Sequence, residues 1–520
     1  MQGKNNTFFK GALSLSVSAI ILKVIGLIYK VPLSYILGDE GMGYFNSAYT
    51  VYTFFYLIGT AGIPKAISIV VARTDSESED ISYRIYKVCL IFFGAFGALL
   101  SIVFFLLSSC FSTEIGNNGA LFSMYSITPS ILFVCASGVA RGYLSGRLRF
   151  VPIAISELIS GTVKLFLGLA LAYYADSRGY SLPVISAYTI FGITVGSFLS
   201  LVFLLASIRG REVQGGIKIK FWITIREIVG IALPITVASS VSGIAAMLDL
   251  GLIMRGLVAN GYSTGVSTIL YGNYTTLALP MFSLVATVIT PISAALMPSL
   301  TRSVSKKDIK GGIEKIKGSL SFIYFISIPC AFFYFFFPRQ ILSVIFEEGS
   351  AILGASLLSC IAPSLIILGP LTVMNTLLEA EGRVMLPVIS LTLGSLTKLV
   401  SCTCLISVDS IGILAAPIST LISYSVSFII SYFAIKRSSF GSIRIFKGSI
   451  IPIFLSAFAS LLGLFIFPHL NTCLTKMASC TILLLILGFT YLFFSLILSK
   501  NTRTILLNFV NLHKNGTNHL

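Results

Sequence analysis

Charge is scarce in this chain. Charged residues make up 11% of its 520 positions, less than half of what an ordinary soluble domain carries. There is one tryptophan, there are three histidines, and only 19 residues are acidic. No GxxxxGK[ST] loop, HExxH or GxSxG occurs, so ATP-driven and hydrolytic chemistry lack their usual residues. The nine cysteines show neither CxxC nor a histidine at metal spacing, which excludes a zinc site or disulfide scaffold and leaves small core-filling residues. A soluble globular domain and a disordered chain are excluded by the scarcity of charge.

What is abundant is apolar residue, at 56%, with a mean hydropathy of +0.95. About 20 mostly apolar residues span a bilayer as a helix, and the sequence supplies about fourteen such runs. They fall near 11–37, 42–70, 85–109, 118–146, 151–175, 181–208, 227–254, 264–300, 318–346, 351–379, 384–406, 410–436, 446–468 and 473–498. Outer-membrane strands alternate apolar and polar residues, so the reading is an all-α polytopic membrane protein. The stretch after Lys4 and Lys10 has no small-residue cleavage signal and is too long for a signal core, so it reads as a retained first span.

The net charge of +17 would suggest nucleic acid in a soluble protein. Counting residues toward the ends of spans with the segments they adjoin, 27 of the 36 Lys and Arg residues fall on one side and three on the other, and six (Lys23, Lys30, Lys65, Lys164, Arg255 and Lys398) are assigned to the spans. The bias places both termini in the cytoplasm of a multi-pass cell-membrane protein, and no nucleic-acid partner is expected. The alternation Ile217–Trp222 reads as an interfacial segment or an ordinary loop, and the acids at 75–80 as a solvated loop.

Internal repetition organises the spans. Ile25–Lys30 resembles Leu250–Arg255, Ile127–Ile131 resembles Ile361–Leu365, and Pro152 with Lys164 resembles Pro387 with Lys398. Offsets of 225 to 235 imply two parallel six-span lobes with a substrate path between them. The expected divisions are 1–226 for the first lobe with its basic linker, 227–437 for the second, and 438–520 for two extra spans and a basic tail.

Charge inside a span is costly and usually marks function. Lys23 and Lys30, seven residues apart, share one helix face, and Lys65 follows Pro64 in the second span. Three clustered cations suit a pyrophosphate or other multivalent anion in a wet cavity; the competing explanation is snorkelling to the interface. Asp249 and Arg255 lie in the seventh span. Asp249 is a candidate ligand for a coupling cation, Na+ or H+, or a partner of Arg255 or Lys398. Glu157 and Lys164 could pair within the lobe, and Lys164 and Lys398 read as structural. No resident cofactor or metal is expected.

Several motifs carry a family resemblance: Lys10-Gly11-Ala12-Leu13, Lys23-Val24-Ile25-Gly26, Gly38-Asp39-Glu40-Gly41-Met42-Gly43 and Gly62-Ile63-Pro64-Lys65-Ala66-Ile67-Ser68. Arg141-Gly142-Tyr143, Leu270-Tyr271-Gly272 and Leu296-Met297-Pro298-Ser299-Leu300 continue it. In this order the chain resembles the multidrug/oligosaccharidyl-lipid/polysaccharide exporter superfamily, in its stage V sporulation protein B and MurJ-type lipid II flippase branch. The resemblance implies a MATE/MurJ-like pair of lobes around a cavity, with cations of the first two spans meeting a lipid diphosphate. It implies a flippase that moves undecaprenyl-diphosphate-linked sugar, above all a peptidoglycan precursor, and is not an enzyme. Cell-wall synthesis proteins are the expected protein partners. Cys402 stands where relatives carry Asn and lacks the oxygen that a sodium site there would use. A drug/cation antiporter of the same fold and a non-transporting scaffold are the rivals; basic first spans argue against the former.

Overall fold

The computed structural model describes residues 2–74, 79–208, 221–408, 410–438, 440–473 and 475–498. The expectations for 75–78 and 209–220 therefore lie outside the described residues. Among the described residues there is no strand. In hydrocarbon every backbone N–H and C=O must be satisfied internally, and apolar runs of this length can do so only as helices.

The helices are α1 (Gln2–Thr60), α2 (Ile63–Thr74), α3 (Glu79–Ile115), α4 (Leu121–Ile127), α5 (Pro129–Gly146), α6 (Phe150–Ser177) and α7 (Leu182–Ser207). They continue with α8 (Phe221–Ala259), α9 (Thr264–Asn273), α10 (Leu279–Ser305), α11 (Ile309–Phe336), α12 (Pro338–Ser343), α13 (Glu348–Ile361) and α14 (Ser364–Ala380). The last four are α15 (Met385–Ile406), α16 (Ala415–Lys436), α17 (Ile450–Cys473) and α18 (Lys476–Leu498). Twelve segments among the described residues are long and apolar enough to cross a membrane, or thirteen if the bent pair α13–α14 is one span. The sequence suggests about fourteen because it counts separately the first two runs, both of which α1 carries as two halves. Gly38, at φ 61 and ψ −176, breaks α1 between them. Only glycine takes that conformation readily.

The chain packs as two units, Met1–Gly272 and Asn273–Leu520. In the first, α5 lies against α2, α3 and α7; in the second, α14 lies against α10, α11 and α16. These are the same partners six spans on. The backbone repeats as well. Thr128 separates α4 from α5, which Pro129 opens, and Ala362-Pro363 separates α13 from α14 with a 44° bend. Proline is tolerated where a new helix begins. Helix α5 ends with the Arg149 N–H donating to the Leu144 carbonyl at 2.8 Å, and α14 with Arg383 donating to Leu378 at 2.9 Å. Leu148 (φ 57) and Gly382 (φ 80) supply the left-handed residue of each cap. Break and cap both recur at the 234-residue offset read from the sequence.

Small residues allow close approach where apolar lipid gives helices no hydrophobic reason to associate. A Cβ on Gly192 of α7 would stand 2.8 Å from the Gly168 Cα of α6, and one on Gly196 would stand 2.7 Å from the Ser160 carbonyl oxygen. Helix α2 enters over the glycines of α5, where a Cβ on Gly142 would stand 2.7 Å from the Pro64 carbonyl oxygen. The core beside it is built from Ile63, Ile67, Val71, Cys89, Val139 and Tyr143.

Candidate functional site

Inside the first unit a cavity of about 370 Å³ is walled by α1, α5, α6 and α7. Each wall is a stripe two helical turns long. The two halves of α1 contribute Leu22, Ile25, Gly26 and Tyr29, and then Tyr49, Tyr52 and Tyr56. Helix α5 contributes Val134, Ser137 and Arg141; α6 contributes Glu157, Ser160, Gly161 and Lys164; α7 contributes Ile193, Ser197 and Ser200. Spacings of three, four and seven residues align side chains on one helix face. Seven residues rise about 10.5 Å, which sets the length of the lined channel.

The polar groups are sorted along that length. At one end Arg141 faces Glu157, with Nη1 3.6 Å from Oε1 and the side chains 21% and 30% exposed. At the other end Lys164 sits between two aromatic rings, its Nζ 5.1 Å from the Tyr29 centroid and 5.0 Å from that of Tyr49. Ring faces are negative and hold a cation there. Phe45 bridges the rings, with centroids 6.1 Å from Tyr29 and 6.2 Å from Tyr49. From Tyr49 the ladder continues to Tyr52 and Tyr56 in steps of 5.9 and 5.8 Å. The middle of the channel holds hydroxyls and Gly161. A cation at each end, with hydroxyls and aromatic faces along the length, suits a polar ligand that carries negative charge.

The sequence-predicted residues fall in different places. The side chain of Lys23 lies outside the described residues. Lys30, next to Tyr29 on α1, is half-buried and is not among the residues lining this cavity. Lys65 is exposed on α2 and is not among the residues lining this cavity. Asp249 is buried in α8, 7% exposed. Arg255 is exposed and donates to the carboxylate and the carbonyl oxygen of Glu114, at the end of α3. The suggested Glu157–Lys164 pair is corrected: Glu157 meets Arg141, because two turns of helix separate it from Lys164 while α5 and α6 are adjacent across a tight turn. Lys164, read as structural from the sequence, lines the cavity. Sequence reasoning also missed Arg141 and the tyrosine ladder. Their signal was present as polar residues three, four or seven apart on otherwise apolar helices: Ser137 with Arg141, and Tyr49, Tyr52 and Tyr56.

Comparison with known proteins places this geometry in context. Residues 8–304 match the family described as polysaccharide biosynthesis protein, and residues 275–404 match MatE. The chain is 21% identical over 430 residues to stage V sporulation protein B of Bacillus subtilis, covering 79% of this chain and 80% of that one. It is 22% identical over 485 residues to the lipid II flippase MurJ of Bacillus subtilis, covering 87% of each. Among solved structures, lipid II flippase MurJ in an inward closed conformation aligns with a TM-score of 0.71 at 17% identity, over 94% of this chain and 99% of that one. The fold is thus that of a multi-pass membrane protein.

Proposed function

Since the chain belongs to the polysaccharide biosynthesis protein family, within the multidrug/oligosaccharidyl-lipid/polysaccharide exporter superfamily, we infer that it is a flippase for lipid-linked sugars. Its substrate is an undecaprenyl-diphosphate-linked saccharide, above all a lipid-linked peptidoglycan precursor, carried from the inner to the outer leaflet by alternating access. The observation that carries this reading is the cavity itself. Its lining cations, Arg141 and Lys164, outnumber its one lining acid, Glu157. An excess of cations inside a membrane favours an anionic head group, and hydroxyls and tyrosines between the charges suit a sugar.

The excess of Lys and Arg on one side of the spans supports cytoplasmic termini. In that orientation the Arg141 end of the channel is the cytoplasmic end, where such precursors are loaded. The head group crosses in the cavity while the polyprenyl tail stays in lipid. Lys23 and Lys65 extend the cationic path on the sequence argument, and Asp249 is retained as the candidate for a coupling ion. Cell-wall synthesis proteins that supply or consume the lipid-linked sugar are the proposed partners.

The test is reconstitution. Purified protein in liposomes should expose a fluorescent lipid-linked diphosphosaccharide to an impermeant quencher faster than protein-free liposomes do. It should leave a cationic dye gradient unchanged. Dye efflux without flipping would favour the antiporter reading, and neither activity would favour a scaffold.

A further inference from the structure

We propose that Glu157 is a tethered counter-anion for Arg141, so that a ligand phosphate enters the cavity by exchange for this carboxylate. The exchange deepens the flippase reading and rests on it. Its consequence is selectivity: a diphosphate outcompetes the carboxylate, whereas a monoanionic lipid head group does not.

Three observations carry the inference. First, the pair is loose. Its closest approach is 3.6 Å, against about 2.7–2.9 Å for a close charge-assisted bond. Second, the Arg141 Nε is buried and lacks a hydrogen-bond partner among the described residues. A guanidinium carries five N–H donors in a fixed fork that matches phosphate, so Arg141 holds donor capacity in reserve. Third, both side chains line the cavity and are partly exposed, so Glu157 can turn to water when displaced instead of being stranded in a dry interior.

The placement along α6 gives the exchange a direction. Glu157 and Lys164 are on one stripe, two turns apart, or about 10.5 Å. A ligand entering at the Arg141 end meets the acid before it meets Lys164. A monoanion brings no more charge to Arg141 than Glu157 already does, and it lacks the advantage of being tethered. A diphosphate brings more charge and can use both edges of the guanidinium fork. Abundant monoanionic phospholipids in the same leaflet are thereby kept out of the channel.

The full-length protein in detergent, titrated with farnesyl diphosphate and with farnesyl methyl phosphate, a phosphodiester monoanion on the same tail, tests this. Wild type should bind the diphosphate tighter by about tenfold or more, since each tenfold needs only one good additional charged contact. Glu157→Gln should tighten binding of the phosphodiester by about fivefold, the upper range for a partly exposed ion pair, and narrow the ratio. Arg141→Gln should weaken both. The double variant Arg141→Gln/Glu157→Gln removes both charges, leaves no lone ion to unfold the site, and should match Arg141→Gln. An unchanged ratio in Glu157→Gln, or further tightening in the double variant, overturns the exchange alone. Failure of wild type to bind either probe overturns the diphosphate reading and the exchange with it.

Discussion

Replacing Lys164 by Met separates support of the fold from handling of substrate. The ammonium gains from two ring faces 5.1 and 5.0 Å away, about 0.5–2 kcal/mol each depending on desolvation. Holding a lysine at membrane depth costs about 2.5–3.5 kcal/mol. These terms nearly cancel. Methionine keeps the length of the side chain and regains about 0.3–1.5 kcal/mol from sulfur against each ring. Lys164→Met should therefore leave the melting temperature unchanged or slightly raised. Transport should respond differently. A charged hydrogen bond to the ligand is worth about 1.5–3 kcal/mol, so flipping of the lipid-linked sugar at equal protein levels should fall by roughly tenfold to a hundredfold. Lys164→Arg keeps the charge and can stack between the same rings, and should retain more activity than Met. The assay is quencher accessibility in proteoliposomes alongside thermal melting of the same preparations. A variant that melts several degrees lower yet flips at the wild-type rate would show that the lysine props the aromatic ladder and does not meet substrate.

The other features lead to further outcomes. Lys23→Ala should lose flipping while still inserting, and Lys23→Glu should be worse; normal flipping by both would make snorkelling the account of that lysine. Asp249→Asn should abolish dependence on an ion gradient if the carboxylate binds a coupling cation; unchanged gradient dependence with a loss of about 3–5 kcal/mol of stability would mark a buried pair instead. Gly192→Ala puts a methyl 2.8 Å from a backbone carbon of α6 and should cost about 1–3 kcal/mol by overpacking, measured as a lower melting temperature. Single cysteines at Asp39 and Asp176 should react with an impermeant thiol reagent in intact cells and one at Lys306 should not; the reverse pattern would invert the topology.

The fold was legible because its rules are local. Apolar runs of about 20 residues can only be helices in lipid, and the 234-residue offset found in Ile127–Ile131 and Ile361–Leu365 reappears as helix breaks and caps. Gly38 was harder to weigh, since one glycine decides whether two runs are counted as one helix. The site was less legible because its pairings are not local. Lys23 and Lys30 stood out as charges on one helix, but the cavity is made by α6 facing α1 and α5. The contact of Arg141 with Glu157 depends on the tight turn at Leu148, and the clamp on Lys164 depends on the chain reversing at Gly38 so that Tyr29 and Tyr49 face one another. Neither depends on spacing within a single helix. Arg141, counted as a cation at the end of a span, was invisible as a site residue for that reason.

The recurrence of break and cap at one offset bears on how such a protein arises. A unit of six spans begins and ends on the same side of the membrane, so joining two copies head to tail needs no inversion of either. Both insert in the same sense, and the fused chain is foldable at once; a unit with an odd number of spans would instead give inverted halves. After duplication the side chains diverge on a kept frame. At the same offset Arg141 corresponds to Asn375 and Glu157 to Leu391, while Lys164 still corresponds to Lys398. Asn375 is occupied in a hydrogen-bonded chain, accepting from Ser431 at 2.9 Å, and Ser431 in turn meets Ser390 at 3.1 Å. One half thus carries a charged pair at the mouth of a cavity, and the other has hydroxyl and amide packing at an equivalent position. Identical halves would have treated a ligand alike, so the difference between these positions marks a division of labour on one repeated frame.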